Sequence, residues 1–182
     1  LVNKTANFLL SIGIKQNDKV TTVMYNHLQT VVIYFACWKI GACVVPINVE
    51  EESDRIKFIT ENSESKAVFF FDRFADKVNV LEGLVGKENI ISVGSPVSGY
   101  KNYEKEIENQ GAVLSGDAKN FSYDVHALIV YTSGTTGVPK GVLLSQYNLL
   151  VDAQGIGEHH EATENYMFMC VLPIHHVNGI LV

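Results

Sequence analysis

Short apolar runs and longer amphipathic segments alternate along the first half of the chain, and this alternation most constrains the fold. Runs rich in β-branched and aromatic residues predict strands, and segments with apolar residues at helical spacing predict helices. The predicted strands are residues 20–25, 43–47, 67–71 and 89–93, and the predicted helices are residues 1–12, 26–40, 53–62 and 74–85. Because the strands are almost wholly apolar, we expect an α/β fold with a mainly parallel sheet covered by helices.

Two of these helices rest on specific signals. Asn26 is a candidate N-cap for the segment 26–40, and Gly41 is a candidate terminator. Residues 30–35 also have strand propensity, but the length of the segment and its two caps favour a buried helix. In the segment 74–85, four apolar residues recur at helical spacing, which predicts one amphipathic helix.

The regular alternation stops at residue 94 and resumes near residue 127. In between, polar and glycine-containing stretches surround one short charged segment, residues 103–109, which predicts a helix. Further strands are predicted at residues 127–131, 142–144 and 166–171, with a helix from Gln146. We therefore divide the chain into residues 1–118, a first α/β unit with a connector, and residues 119–182, the start of a second α/β unit.

Composition places the chain among globular proteins and excludes several partners. Its 182 residues are 47% hydrophobic and 19% charged, and the mean hydropathy is +0.11. The net charge of −6, with only Arg55 and Arg73 as arginines, argues against nucleic acid, which needs a basic stripe. The densest apolar stretch, residues 31–47, is interrupted by a lysine, a glycine and a proline, so we predict no integral membrane segment. The sequence leaves the oligomeric state open.

The three cysteines, Cys37, Cys43 and Cys170, fit neither a disulfide framework nor the ligand spacing of a zinc site. We predict free thiols in a reducing compartment, and cytoplasmic localisation, since nothing resembles a signal peptide. His159 and His160 lie between glutamates and predict a solvated polar stretch. No metal site is therefore predicted.

The run of residues 131–141, YTSGTTGVPKG, has a composition that suits one type of ligand, a polyphosphate. Gly134 and Gly137 let the main chain approach a ligand closely, and successive backbone N–H groups can then form an anion-binding nest. Hydroxyl groups add neutral donors, and Lys140 adds a mobile positive charge. The hydroxyl groups are those of Thr132, Ser133, Thr135 and Thr136.

The P-loop of nucleotide hydrolases is the obvious alternative, and the sequence argues against it. That motif requires G-x-x-x-x-G-K-[ST], and Gly134 and Lys140 have the right separation. However, Pro139 stands where the motif needs glycine, and Gly141 stands where it needs the magnesium-binding hydroxyl. The residues after Lys140 also continue as a second apolar run rather than as a helix. A loop between two strands is therefore predicted, with a ligand-free surface hairpin as the remaining alternative.

Residues 132–142, TSGTTGVPKGV, resemble the phosphate-binding signature of the AMP-forming adenylating enzymes. This superfamily includes acyl-CoA synthetases, aryl-CoA ligases, luciferases and the adenylation domains of peptide synthetases. Residues 6–20 and 38–48 are similar to the early α/β part of acyl-CoA synthetases. The resemblance implies part of the large N-terminal domain of that fold. It also implies an ATP-binding role for Thr132, Ser133, Gly134, Thr135, Thr136, Gly137 and Lys140, with Lys140 catalytic as well.

The segment 172–179, LPIHHVNG, resembles a second motif of this superfamily, LPxxHxxG. The histidine that matches His176 lines the acyl and adenylate pocket in the family, so the resemblance implies a catalytic role for His176. His175 occupies a position that is usually aromatic. Gln146 stands where histidine is frequent, and we interpret it as a packing residue at a helix start. Metal binding by the histidine pair would need a third ligand, which the sequence does not identify.

The resemblance implies ATP-dependent activation of a carboxylic acid to an acyl-adenylate, followed by thioester formation with coenzyme A, with Mg²⁺ accompanying ATP. The Thr135–Thr136 pair and residues 176–179 are more similar to acyl- and aryl-CoA synthetases than to peptide-synthetase modules. Two alternatives stay open: a peptide-synthetase adenylation domain, and a truncated, non-catalytic nucleotide-binding module. The family's downstream acidic segment, hinge and C-terminal domain are not found in the sequence. We therefore expect an N-terminal fragment that does not turn over alone.

Overall fold

The computed structural model of the chain describes residues 1–115, 122–132 and 138–181. Within these residues the strands are β1 (Lys19–Val23), β2 (Cys43–Ile47), β3 (Ser65–Phe71), β4 (Ile90–Val93), β5 (Lys101–Asn102), β6 (His126–Thr132) and β7 (Lys140–Ser145). The helices are α1 (Val2–Ser11), α2 (Leu28–Lys39), α3 (Ser53–Asn62), α4 (Ala75–Val78), α5 (Glu82–Val85), α6 (Tyr103–Glu108), α7 (Gln146–His159) and α8 (Val177–Leu181). In the described part of the chain, no helix is both long and apolar enough to span a membrane.

All of the described strands form one sheet, in the order β5-β4-β3-β1-β2-β6-β7. Neighbouring strands are parallel, except that β6 and β7 are antiparallel. The prediction of an α/β fold with a mainly parallel sheet is confirmed. The sheet continues from β2 to β6 across residue 118, and the division of the chain into two units at that point stays a prediction.

The strands β2, β3 and β4 are mostly apolar because this part of the sheet is buried on both faces, whereas β7 at the edge is largely exposed. In β3, Phe69 belongs to the same apolar cluster as Phe8 of α1 and Tyr103 of α6. The ring of Phe69 meets those two rings edge to face, at centroid distances of 6.4 and 6.1 Å. The next residue, Phe70, belongs to the cluster on the opposite face, with Ile56 of α3. Since successive side chains of a strand point to opposite faces, one continuous apolar run fills two cores.

The prediction that Asn26 is the N-cap of α2 is wrong. His27 occupies the N-cap position, with an extended backbone (φ −157°). The Asn26 side chain instead hydrogen-bonds the backbone of residues 172–174. The predicted terminator of this helix is confirmed: Gly41 follows α2 with φ +73°, in the left-handed region that glycine adopts readily.

The segment 74–85 does not form the single amphipathic helix that its apolar spacing predicted. It forms α4 and α5, joined by a 3-10 turn at Asn79–Leu81. The apolar side chains are packed against the sheet, as the spacing indicated. The break coincides with residues 78–80, valine, asparagine and valine, which are weak helix formers, and Gly83 weakens α5 further.

The prediction of a strand at residues 166–171 is wrong. These residues have no regular secondary structure, and no strand of the described chain pairs with them. A single strand is unstable in water because its backbone groups have no ladder partner. The apolar side chains of this segment are largely exposed: Tyr166, Met167, Phe168, Met169 and Val171.

We expect Phe69→Ala to lower the free energy of unfolding by about 3–5 kcal/mol, because it leaves a cavity in the core. Phe168→Ala is the matched control, since the Phe168 side chain is 61% exposed, and surface substitutions usually change stability by less than about 0.5 kcal/mol. Urea denaturation followed by circular dichroism measures both values. Equal effects of the two substitutions would contradict the placement of Phe69 in the core.

Candidate active site

The candidate site lies at the edge of the sheet where the parallel strands end. Strands β1, β2, β3 and β6 run in one direction, so their carboxyl ends share this edge, which is where open α/β sheets bind ligands. Residue 133 follows β6, Asn48 follows β2, and Asn26 lies three residues beyond β1. Because only β2 separates β1 from β6, their ends are about 10 Å apart.

The hairpin of β6 and β7 holds the two ends of the predicted phosphate loop. Thr132 and Lys140 pair across the antiparallel ladder, and the Thr132 hydroxyl lies 3.5 Å from the Lys140 carbonyl oxygen, to which it donates. Both residues are exposed. The prediction that a strand, not a helix, follows the loop is confirmed, since β7 begins at Lys140. The other predicted ATP-binding residues lie outside the described residues: Ser133, Gly134, Thr135, Thr136 and Gly137.

Tyr131 and Gly141 form the base of this hairpin, a feature that motif matching did not identify. They are cross-strand partners, and a Cβ atom on Gly141 would lie 3.1 Å from Cζ of Tyr131 and 2.9 Å from Cγ2 of Ile129. The Tyr131 hydroxyl donates to Oδ1 of Asn62, at the end of α3, at 2.7 Å. Burial raises the pKa of Tyr131, so the phenol stays a neutral donor. The missing side chain of Gly141 therefore makes room for a ring that anchors the hairpin to α3.

The start of α7 confirms the interpretation of Gln146 as a packing residue. Ser145 and Asn148 form a capping box: Ser145 Oγ accepts from Asn148 N at 3.2 Å, and Asn148 Oδ1 accepts from Ser145 N at 2.9 Å. Gln146 Nε2 donates to the carbonyl oxygen of Trp38 at 2.8 Å. The helix that follows the hairpin is thus fixed to α2, and Gln146 is engaged in that contact.

The predicted histidine segment returns to the same edge of the sheet. Nδ2 of Asn26 donates to the carbonyl oxygen of Leu172 at 2.8 Å, and Oδ1 of Asn26 accepts from the N–H of Ile174 at 2.9 Å. His175 is half-buried and His176 is exposed, with their ring centroids 4.4 Å apart. Burial, and then the neighbouring His176, lowers the pKa of His175. His175 is therefore neutral at neutral pH.

Metal binding finds no further support in this geometry. Within residues 1–115, 122–132 and 138–181, no three or more His, Cys, Asp or Glu side chains are grouped so that they could hold a metal ion. His159 and His160 are exposed, with ring centroids 5.1 Å apart. Carboxylates follow β2 and β3 at the carboxyl edge, at residues 50–52 and at Asp72, whereas the described ends of the hairpin offer a hydroxyl group on Thr132 and an ammonium group on Lys140, which suit an anion.

We expect Gly141→Ala to lower the free energy of unfolding by roughly 1–3 kcal/mol, because the added methyl group must displace Tyr131 or Ile129. Gly155→Ala in α7 is the matched control, since a Cβ there meets no atom within 4 Å and should stabilise the helix by up to about 1 kcal/mol. Urea titrations of both variants measure the two changes in the free energy of unfolding, which are expected to have opposite signs. Stabilisation by Gly141→Ala would contradict the packing described for the hairpin.

The sequence profile of the AMP-binding enzyme family matches residues 1–182. Indoleacetate–CoA ligase of Aromatoleum aromaticum is 28% identical over 180 residues, which cover 99% of this chain and 35% of that enzyme. Mitochondrial malonate–CoA ligase of Xenopus laevis is 30% identical over 164 residues, covering 90% of this chain and 27% of that enzyme. The crystal structure of ATP-bound MatB from Rhodopseudomonas palustris has the same fold, with a TM-score of 0.86 at 23% identity over 99% of this chain and 35% of that one. This chain spans about a third of the length of these proteins, and it belongs to the family of AMP-binding enzymes.

Proposed function

We propose that this chain carries the ATP-phosphate-binding part of an AMP-forming acid–CoA ligase. The observation that supports it most is the β6–β7 hairpin, with Thr132 and Lys140 side by side at its open end, on either side of a sequence rich in glycine and hydroxyl groups. The family match over the whole chain and the CoA ligases among its relatives support the reaction class. The complete enzyme would join a carboxylic acid to coenzyme A through an acyl-adenylate.

The described groups at the hairpin fit a polyphosphate. The Lys140 side chain is exposed, and its ammonium group, a compact charge with three donors, suits phosphate oxygens. Mg²⁺ would arrive with ATP, because magnesium is usually held by substrate phosphates and one or two carboxylates. Ser133 to Gly137 would contribute backbone N–H groups and hydroxyls between these two ends.

The proposed reaction joins a carboxylate oxygen to the α-phosphorus of ATP and breaks the bond from that phosphorus to the bridging oxygen of the β-phosphate. Negative charge then grows on the departing pyrophosphate. The loop and Lys140 would hold the β- and γ-phosphates and stabilise this charge, so that catalysis rests on positioning and electrostatics. His176 would line the acyl side, with the neutral imidazole of His175 beside it.

The acid and the acyl acceptor are separate questions. The relatives are named for indoleacetate and malonate, an aromatic acid and a dicarboxylic acid, so their names do not converge on one acid for this protein. Coenzyme A is favoured over a peptide-synthetase carrier protein as the acceptor because both relatives are CoA ligases.

Cys37 and Cys43 are buried free thiols, which supports the proposal of a reducing, cytoplasmic location.

Lys140→Ala in the full-length gene product is expected to slow ATP–pyrophosphate exchange by a factor of about 10²–10³, equivalent to roughly 3–4 kcal/mol of transition-state stabilisation. Gly137→Val should have a similar effect, because a branched side chain prevents close approach of the loop to a ligand. Lys105→Ala is the control, since Lys105 is an exposed lysine on α6, at the far end of the sheet. Exchange at the wild-type rate in Lys140→Ala would reject the assignment of the loop.

Calorimetric titration of Mg²⁺–ATP into the 182-residue chain is expected to show binding that weakens at least about tenfold in Lys140→Ala, because a charge-assisted contact to phosphate is lost. Lys105→Ala again serves as the control. Absence of heat in the wild-type chain would count against the alternative that this chain works alone as a nucleotide-binding module. It would not bear on the proposed enzyme activity, which the ATP–pyrophosphate exchange experiment tests.

Free coenzyme A is expected to be required for multiple turnovers of acid-dependent AMP formation by the full-length gene product. The physical reason is that an acyl-adenylate held in a closed site is released slowly unless a thiol removes the acyl group. Screening acids with and without coenzyme A measures this dependence. If coenzyme A leaves the rate of AMP formation unchanged and a phosphopantetheinylated carrier protein raises it, the result would favour a peptide-synthetase adenylation domain instead.

A further inference from the structure

We propose that Asn26 is a positioning residue for the acyl side of the site, which it serves by fixing the segment that carries His175 and His176 to the carboxyl end of β1. The importance of these histidines rests on the proposed function, whereas the attachment itself rests on contacts in the structure. Asn26 does not touch the reacting atoms in this scheme. It acts through the backbone on either side of Pro173.

The side chain of Asn26 satisfies both backbone groups that flank Pro173. Its Nδ2 donates to the Leu172 carbonyl oxygen at 2.8 Å, and its Oδ1 accepts from the Ile174 N–H at 2.9 Å. An amide side chain can donate and accept at the same time, which carboxylate and ammonium groups cannot. The two partners, a carbonyl and an N–H, also determine which end of the amide is oxygen. Asparagine therefore pairs with this segment as a neighbouring strand would.

Tyr34 of α2 adds a second attachment at the same residue. Its hydroxyl donates to the carbonyl oxygen of Ile174 at 3.3 Å. Burial raises the pKa of Tyr34, so the phenol is a neutral donor. The Ile174 side chain is 7% exposed, whereas residues 170–173 are exposed. Ile174 is thus held by its N–H, its carbonyl and its side chain, directly before the two histidines.

The turn that carries the histidines is built on this attachment. The His176 N–H donates to the Pro173 carbonyl oxygen at 3.0 Å, and a Cβ atom on Gly179 would collide with the same carbonyl. Residues 173–179 therefore wind closely around Pro173. A shift of Pro173 relative to β1 would move both imidazoles.

The start of α2 also supports the role of Asn26 in attaching residues 172–174. Asn26 carries the side chain that the sequence predicted as the helix cap, yet α2 begins one position later with His27 as N-cap, and His27 makes no side-chain capping bond in the described structure. Asparagine is among the best N-cap residues. Its amide contacts a segment 146 to 148 residues away instead. The long-range contact thus takes the place of a local one.

Asn26→Ala tests the attachment, with Asn48→Ala as the matched control. Asn48 follows the adjacent strand β2, and its Oδ1 accepts from the backbone N–H of Glu50 at 3.0 Å, away from the histidine segment. Asn26 is exposed, so its truncation leaves the core intact, and unchanged exchange at the Phe69 amide checks this. Amide hydrogen exchange measured by NMR is expected to become about fivefold faster at Ile174 in Asn26→Ala, which corresponds to loss of one neutral hydrogen bond.

A spectroscopic readout distinguishes positioning from a general loss of stability. In Asn26→Ala the imidazole resonances of His175 and His176 should move, whereas those of His159 and His160 should not. Ile174 exchange within twofold of wild type together with unmoved His175 and His176 resonances would overturn the proposal. The same changes in Asn48→Ala would overturn it as well.

Kinetics of the full-length gene product test the consequence for the site. Asn26→Ala is expected to raise KM for the acid roughly tenfold, because misplaced groups lose their contacts with a bound substrate, and to leave KM for ATP within twofold. A loosened segment with an unchanged KM for the acid would overturn the positioning role. A wild-type protein without acid-dependent exchange would instead count against the proposed function, and the NMR measurements would then decide the attachment.

Discussion

The parallel pairing of β6 with β2 is the interaction on which the candidate site depends. It joins the hairpin on either side of the predicted phosphate loop to the sheet of the first half of the chain. Trp38 reinforces the join: its indole N–H donates to the carbonyl oxygen of Ala127 in β6 at 2.8 Å, and its own carbonyl accepts from Gln146 at the start of α7. Without this join, the carboxyl end of β6 would not share an edge with the ends of β1 and β2.

In the proposed function, local donors rather than the overall electrostatic field of this chain would attract the phosphates of ATP. The chain carries a net charge of −6, and a protein of that sign does not draw ATP to itself over long distances. In the proposed site, backbone N–H groups, hydroxyls and one lysine would act at contact distance, where solvent screening is least effective. In the described part of the hairpin, the Tyr131 hydroxyl hydrogen-bonds Asn62, and its ring occupies the space that a side chain on Gly141 would fill.

Local sequence signals predicted most of the fold because most elements are determined locally or by burial. The strand β2 and the end of α3 coincide with the predicted residues, and α7 begins at Gln146, as predicted. The predictions fail where the structure of a segment depends on a partner that is distant in the sequence. Residues 166–171 have the composition of a strand but lack a pairing partner in the described chain. Asn26 is of a residue type that is favoured at N-caps, but its side chain hydrogen-bonds residues 172 and 174.

In the candidate site, too, one part is determined by the local sequence and another by contacts with distant residues. Its proposed phosphate side is a hairpin that short-range pairing between residues 132 and 140 can build, and the motif that marks it is continuous in sequence. Its proposed acyl side depends on contacts between residues nearly 150 positions apart, which no local pattern reveals. The segment around His175 and His176 is also mostly exposed, with few buried side chains besides Ile174. Segments with few buried contacts open at low free-energy cost. We therefore expect the histidine segment, the proposed acyl side, to be more sensitive than the hairpin to substitutions that leave the core of the sheet intact.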